Sequence, residues 1–264
     1  MKPQDTPAAT LSLLTYRLVN LSAELRRGNP LYDSFFIVQS ALAIDLELDE
    51  WDRQLPASWR FTTQPAPGTA AAEGDTEFLY GGKVVFGGQV HVYADLWSSR
   101  IYNNYRWTRL LINELLVVHT PQLGSLVHEA TAQKLRSLDR IRALAHELCT
   151  SVSTQFDRYT PAQALRKHVP PMSGCFLLLF PLAIAGSAIG VPDEVHRWVV
   201  QMLHLFATEM GISQAGAMLP RIQKQRLRWM RGQDMGFRYH VLYESLAEES
   251  ESDTSSTSPS GSLT

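Results

Sequence analysis

The chain has 264 residues, 45% of them apolar and 19% charged, with a formal net charge of −2. These values suit one globular domain with a sizeable core and room for a tail. A net charge near zero argues against a protein that grips nucleic-acid phosphates through bulk positive charge. Its two cysteines, Cys149 and Cys175, lie outside any CxxC pair, which excludes a disulfide framework and fits a reducing compartment.

Ala8–Arg27 reads as a first helix, with Leu11, Leu14, Leu18 and Leu21 at helical steps and Gly28-Asn29-Pro30 as its stop. Tyr32–Gln54 reads as a second, lined by Phe36, Ser40, Ile44, Leu48 and Trp51 and ended by Leu55-Pro56. Its C-terminal half carries Asp45, Glu47, Asp49, Glu50 and Asp52, which is unfavourable with the helix dipole. The expected role is a solvated face, with a partner-docking surface as the lesser reading. Thr62–Gly88 is rich in proline, glycine and alanine and reads as a linker or long loop, with a short hairpin around Lys83–Phe86 as an option.

Val92–Leu116 is the most informative run. Trp97, Ile101 and Tyr105 recur at four-residue steps and share a helix face, while Arg100, Arg106 and Arg109 point largely elsewhere. Asn103 and Asn104 are poor helix formers, so their central place implies a constraint stronger than local propensity. Two readings stand: a core helix with a polar contact, or a ligand site.

From Pro121 to Phe156 the residues Leu138, Ile141, Ala145, Leu148 and Val152 form a heptad-like stripe that suits packing inside a helical domain, with Lys134, Arg136, Arg140 and Arg142 on the solvated side. Thr160–Pro171 reads as a connector. Met172–Val191 is free of charge and long enough to span a membrane. Scattered glycines and serines dilute it and Pro181 interrupts it, so the expected role is a buried central helix. Pro192-Asp193-Glu194 opens a further helix carrying Val195, Trp198, Val199, Met202, Phe206 and Met210, closed by Gly211. Ser213 is placed to cap the last helix, which Pro220 is expected to kink or split. Arg221, Lys224, Arg226, Arg228 and Arg231 there read as a solvated basic face. Ser245–Thr264 is expected to be disordered.

The fold class is therefore all-α: a single domain of about seven to nine helices with a central apolar helix. Its parts are N-terminal helices over 8–61, the loop or linker over 62–88, a helical core over 89–243 and a tail over 244–264.

No window supplies Gly-x-Ser-x-Gly. His146-Glu147 and His128-Glu129 begin a zinc-hydrolase pattern, but Thr150 and Ala132 stand where the second histidine belongs. Gly88 occupies the place of a phosphate-loop lysine, and His196 and His204 lie two turns apart, too far for one metal. No catalytic residue, metal ligand or cofactor is assigned, and the expectation is a protein that is not an enzyme. The candidate ligand pocket comprises Trp97, Asn103, Asn104, Tyr105 and Trp198, because buried amides must find partners and a ligand can supply them.

The sequence resembles the C-terminal regulatory domain of fungal transcription factors that carry a binuclear zinc–cysteine cluster. The resemblance rests on Tyr93, Asp95 and Trp97, then Asn103, Asn104, Tyr105 and Arg106, then the aliphatic ending Leu110–Leu116. Upstream, Ile44-Asp45, Leu48, Trp51, Leu55-Pro56 and Trp59 fit it, as does Leu177–Gly186 downstream. It implies modulation of transcription of metabolic genes, secondary-metabolite pathways among them, in the nucleus, or otherwise the cytoplasm. The implied partners are proteins, either a full-length transcription factor or a second copy of the chain, and not a membrane. A binuclear cluster needs six thiolates, and this sequence has two cysteines, so direct DNA binding is not expected of it. Asn103, Asn104 and Arg106 of this signature are expected to tie helices together through buried hydrogen bonds, and a ligand role for them is the lesser reading. The alternative is a small-molecule-binding or enzymatic all-α protein.

Overall fold

A computed structural model describes residues 6–66, 84–123, 127–155 and 172–232. The connector around 160–171 and the tail over 244–264 lie outside the described residues. Seven α-helices and one two-stranded antiparallel sheet are described. They are α1 (Thr6–Arg26), α2 (Ser34–Gln54), β1 (Thr62–Pro65), β2 (Gln89–Val92), α3 (Leu96–His119), α4 (Val127–Thr150), α5 (Met172–Ser187), α6 (Asp193–Thr208) and α7 (Ser213–Met230). The protein is all-α, as the apolar periodicities predict.

One contiguous core joins every helix. Leu11 and Leu18 of α1, Ile44 and Leu48 of α2, Leu110 to Leu116 of α3, and Ile141 and Leu148 of α4 enter it. Leu182 of α5, Phe206 of α6 and Ile222 of α7 complete it from the other side. The segment at 62–88 therefore does not divide two units. Its start, Thr62–Pro65, is a strand paired with Gln89–Val92 in the register Thr62↔Val92, and Phe86 bridges Gln89 in antiparallel fashion across Gly87-Gly88, a tight turn where the short hairpin is expected; Lys83 lies outside the described residues. Gly87 and Gly88 have φ of 60° and 67°, a left-handed bend that only glycine adopts freely, and they lead the chain into β2. Just before them, Val84 and Phe86 are buried.

The helical run also begins later than its sequence suggests. Val92 ends a strand, and Asp95 caps α3 by accepting from the Ser98 amide at 2.6 Å. Pro220 neither splits nor ends α7, and Ser213 is its first residue rather than its cap, since Ile212 takes the cap position with no side-chain bond. Within the basic stretch of α7, Arg226 is mostly buried and donates to the Val191 carbonyl and the Asp193 carboxylate. No helix of the described residues is long and apolar enough to cross a membrane.

Helices α5 and α6 meet at Gly186. A Cβ there would lie 2.6 Å from Val199 Cγ1, nearer than side chains pack. Gly186→Ala gains about 1 kcal/mol of helix propensity and loses more to overpacking, which typically costs about 1–3 kcal/mol. We expect a net loss of stability in urea unfolding. In a Val199→Ala background the loss shrinks but persists, because the methyl groups are gone while Cβ of residue 199 still lies 2.8 Å from the new Cβ.

Candidate functional site

Helix α3 presents two unlike faces. One is sealed around Arg106, whose side chain is 0% exposed. Its guanidinium makes four polar contacts: Nε donates to Glu147 Oε2 at 3.0 Å, Nη1 to the Tyr93 hydroxyl at 2.6 Å and to Asn103 Oδ1 at 2.9 Å, and Nη2 to His91 Nδ1 at 3.3 Å. Aromatic rings of Phe61, Tyr102 and Tyr93 surround the cation, with Phe61 nearest at 4.8 Å. Asn103 Oδ1 also accepts from Ser151 Oγ at 2.9 Å, and Thr154 Oγ1 donates to the His91 carbonyl at 2.6 Å. This network therefore joins β2, α3, α4 and the short 3-10 turn Val152–Gln155.

A buried cation is tolerated only when its donors are matched, because desolvating one ion costs several kcal/mol or roughly that order. Burial works against the Arg106 charge, yet the Tyr93 oxygen and the Glu147 carboxylate outweigh it and hold its pKa above the ordinary value. The same surroundings hold His91 neutral. Burial first, then the Arg106 and His146 charges, push its pKa down from 6.5 to about 3. Geometry agrees: a guanidinium can only donate, so His91 Nδ1 must be a bare acceptor, and Tyr93 donates its own proton to it at 3.1 Å. Burial likewise raises the Tyr93 pKa.

One turn on, Arg109 repeats the device toward α2. Nε and Nη2 fork onto Asp45 at 2.8 and 3.3 Å, Nη2 also reaches Asp49 at 2.8 Å, and Nη1 donates to the Tyr105 hydroxyl at 2.6 Å. Asn113 Nδ2 donates to the same Asp45 oxygen at 3.1 Å. The acidic half of α2 is thus not simply a solvated face: Asp45 and Asp49 turn toward α3 and fasten it. Tyr105 stacks on Trp51 with ring centroids 5.2 Å apart, and the Trp51 indole donates to the Pro7 carbonyl.

The other face of α3 opens to solvent. A cleft of about 490 Å³ lies between α3 and α5, lined by Leu96, Trp97, Arg100, Asn104, Trp107, Leu177, Phe180 and Pro181 among others. Pro181 removes one helical N–H from α5, which leaves the Leu177 carbonyl without its usual donor. Asn103 and Gln155 form part of the same wall, and Gln155 Nε2 donates to Ser99 Oγ.

Of the five pocket candidates, Trp97, Asn103 and Asn104 meet at this cleft. Tyr105 and Trp198 do not, which corrects the five-residue pocket. A four-residue step advances about 40° beyond a full turn, so Tyr105 is rotated about 80° from Trp97. It lines a separate cavity of about 260 Å³ with Arg140 and Glu147. Trp198 lies on α6 against Phe86, and its buried indole N–H meets no acceptor among the described residues.

The signature residues fall into four groups, and Asn104, bonded only within α3 to Trp107, does not tie helices together as expected. Tyr93, Asn103 and Arg106 are bonded to one another or through a shared partner, Asp95 is the helix cap, and Tyr105 belongs to the Arg109 cluster. Trp97 and Asn104 face the cleft, where Asn104 Oδ1 accepts from the Trp107 indole at 3.2 Å.

His91, Glu147, Ser151 and Asp45 carry the sealed face and were not singled out as site residues by sequence. Two of them stand in sequence patterns: Asp45 in the Ile44-Asp45 pair of the resemblance and Glu147 in the incomplete His146-Glu147 zinc pattern. Among the described residues, no group of three or more His, Cys, Asp or Glu side chains is placed to hold a metal ion. Cys149 and Cys175 are both buried; burial raises both thiol pKa values, that of Cys175 to about 12, so neither offers a thiolate at neutral pH. Compared with known proteins, the chain matches no family model, no curated protein and no solved structure.

Proposed function

We propose that this chain is a helical regulatory domain of the kind found in fungal transcription factors with a binuclear zinc–cysteine cluster. In this reading it acts in the nucleus and modulates transcription of metabolic genes through protein partners, a full-length factor or a second copy. One observation supports it above others. The residues that carry the resemblance have a common structural reason for their spacing. Asp95 starts α3, and Asn103 and Arg106, one turn apart, converge with Tyr93 on a single buried cation. Polar groups such as those of Tyr93 and Arg106, engaged by internal bonds, belong to a fold rather than to a reaction. The two buried cysteines leave cluster formation, and DNA contact through it, to another polypeptide segment.

The test is a tethering experiment. The chain is fused to an unrelated DNA-binding module, and transcription is read from a reporter carrying that module's sites in a fungal nucleus. The fusion should raise or lower output relative to the module alone. A folded, nuclear fusion with output equal to the module alone contradicts the proposal. A second reading, a small-molecule-binding all-α protein, draws on the open cleft beside Trp97.

A further inference from the structure

We infer that the α3–α5 cleft binds a flat, apolar monoanion, an aromatic carboxylate being the simplest chemistry that fits. Four observations converge. The volume, about 490 Å³, accommodates a small organic molecule. Leu96, Trp97 and Leu177 stay 47%, 47% and 42% exposed at its mouth, large apolar groups that a folded chain usually covers. Among the described residues no acidic side chain lines it.

The fourth observation sets the charge. Arg106, Arg109 and Arg226 each hold a carboxylate. Arg100, at the cleft, has no acidic partner among the described residues and rests over the Trp97 ring, 5.6 Å from its centroid. Its fork is free to take a carboxylate in bidentate fashion. Asn104 adds to the donor set, because its oxygen is already engaged by Trp107 and its amide nitrogen remains to donate. A ring system packed against Trp97 and Phe180 with its anion on Arg100 satisfies both the apolar walls and the unpaired cation. A neutral analogue gains only the first, and a cation is repelled.

This inference goes beyond the transcriptional reading and stands on the cleft alone. Its test is in vitro binding, so the two can fail separately. Isothermal titration of the full chain with anthracene-2-carboxylate should give one-to-one binding with Kd near roughly 100 µM, as ligand size allows. Anthracene-2-carboxamide should bind about tenfold more weakly, the value of a charge-assisted hydrogen-bonded pair. Arg100→Gln should bring the two probes to the same weak affinity. Trp97→Ala should weaken both. Arg136→Gln, an exposed cation on α4 outside the cleft, should leave both unchanged. Arg100 is exposed, so the Arg100→Gln thermal midpoint should match the parent and confirm that the variant is folded. Absence of saturable carboxylate binding, equal affinities of the two probes for the parent chain, or an Arg100→Gln variant that still prefers the carboxylate overturns the inference.

Discussion

Arg106→Ala should destabilise this protein by about 3–5 kcal/mol, the range for breaking a buried ion pair or emptying a large core position. The substitution removes a fully buried side chain and leaves Tyr93, Asn103 and His91 without their shared donor. Its partner is less exposed to loss. Glu147 is 41% accessible, so after Glu147→Ala or Arg106→Ala the surviving group fares differently. The carboxylate can return to water, whereas the guanidinium cannot. Glu147→Ala should therefore cost less than Arg106→Ala while Tyr93 and Asn103 still hold the cation. Lysine is no substitute at 106, because an ammonium cannot reach Tyr93, Asn103, Glu147 and His91 with one planar fork. Urea unfolding of the three variants gives the ranking directly, and an Arg106→Ala loss below that of Glu147→Ala would show that the cation is not the hub.

Acidification should produce the second large effect, through His91. The folded protein holds this ring neutral down to about pH 3, whereas the unfolded chain takes up a proton near 6.5. Between those values the unfolded state binds more protons, so stability rises with pH and falls as pH drops. The contribution is fully present above about pH 6.5. Falling pH removes it at a limiting slope of about 1.4 kcal/mol per pH unit, or roughly 2–3 kcal/mol between pH 6.5 and 4.5. Asp49 acts lower in the range. Although burial opposes its charge, the Arg109 guanidinium keeps its pKa below the ordinary value, so its stabilisation is lost only below about pH 4. His91→Asn isolates the histidine, since the Asn oxygen can occupy the acceptor position of Nδ1 and does not titrate. The stability–pH slope of the variant between pH 6.5 and 4.5 should be shallower by about one proton. Equal slopes for the two proteins would mean that His91 is not held neutral.

Much of the architecture is legible in the sequence because apolar spacing survives into packing. In the stripe Leu138, Ile141, Ala145, Leu148 and Val152 all but the partly buried Leu138 are buried, and Leu11, Leu14, Leu18 and Leu21 bury as their spacing predicts. Met172–Val191 reads as a buried helix on its serines, glycines and proline; the helix ends at Ser187, and it packs in the core. Polar burial is another matter. Asp45 and Asp49 look like surface acids until the fold sets Arg109 of α3 beside them, 64 residues from Asp45 in the chain. His91 and Ser151 carry no local mark, since their partners come from α3 across the sheet and the end of α4. The pocket was half visible for a geometric reason. A four-residue repeat drifts around a helix, so Tyr105 ends about 80° round α3 from Trp97 and lines a different cavity.

The face of α3 that carries Arg106 is sealed and structural, and the face that carries Trp97 and Asn104 is open to a ligand. A double-mutant cycle between Tyr93 and Arg106 tests the sealed side most directly. Tyr93→Phe, Arg106→Met and the double variant are compared by urea unfolding, with Tyr93 and Arg106 bonded at 2.6 Å in the parent. The account predicts a coupling energy of about 1–3 kcal/mol, the range for residues in one buried network. Additive single effects, with a coupling within about 0.3–0.5 kcal/mol of zero, would contradict it.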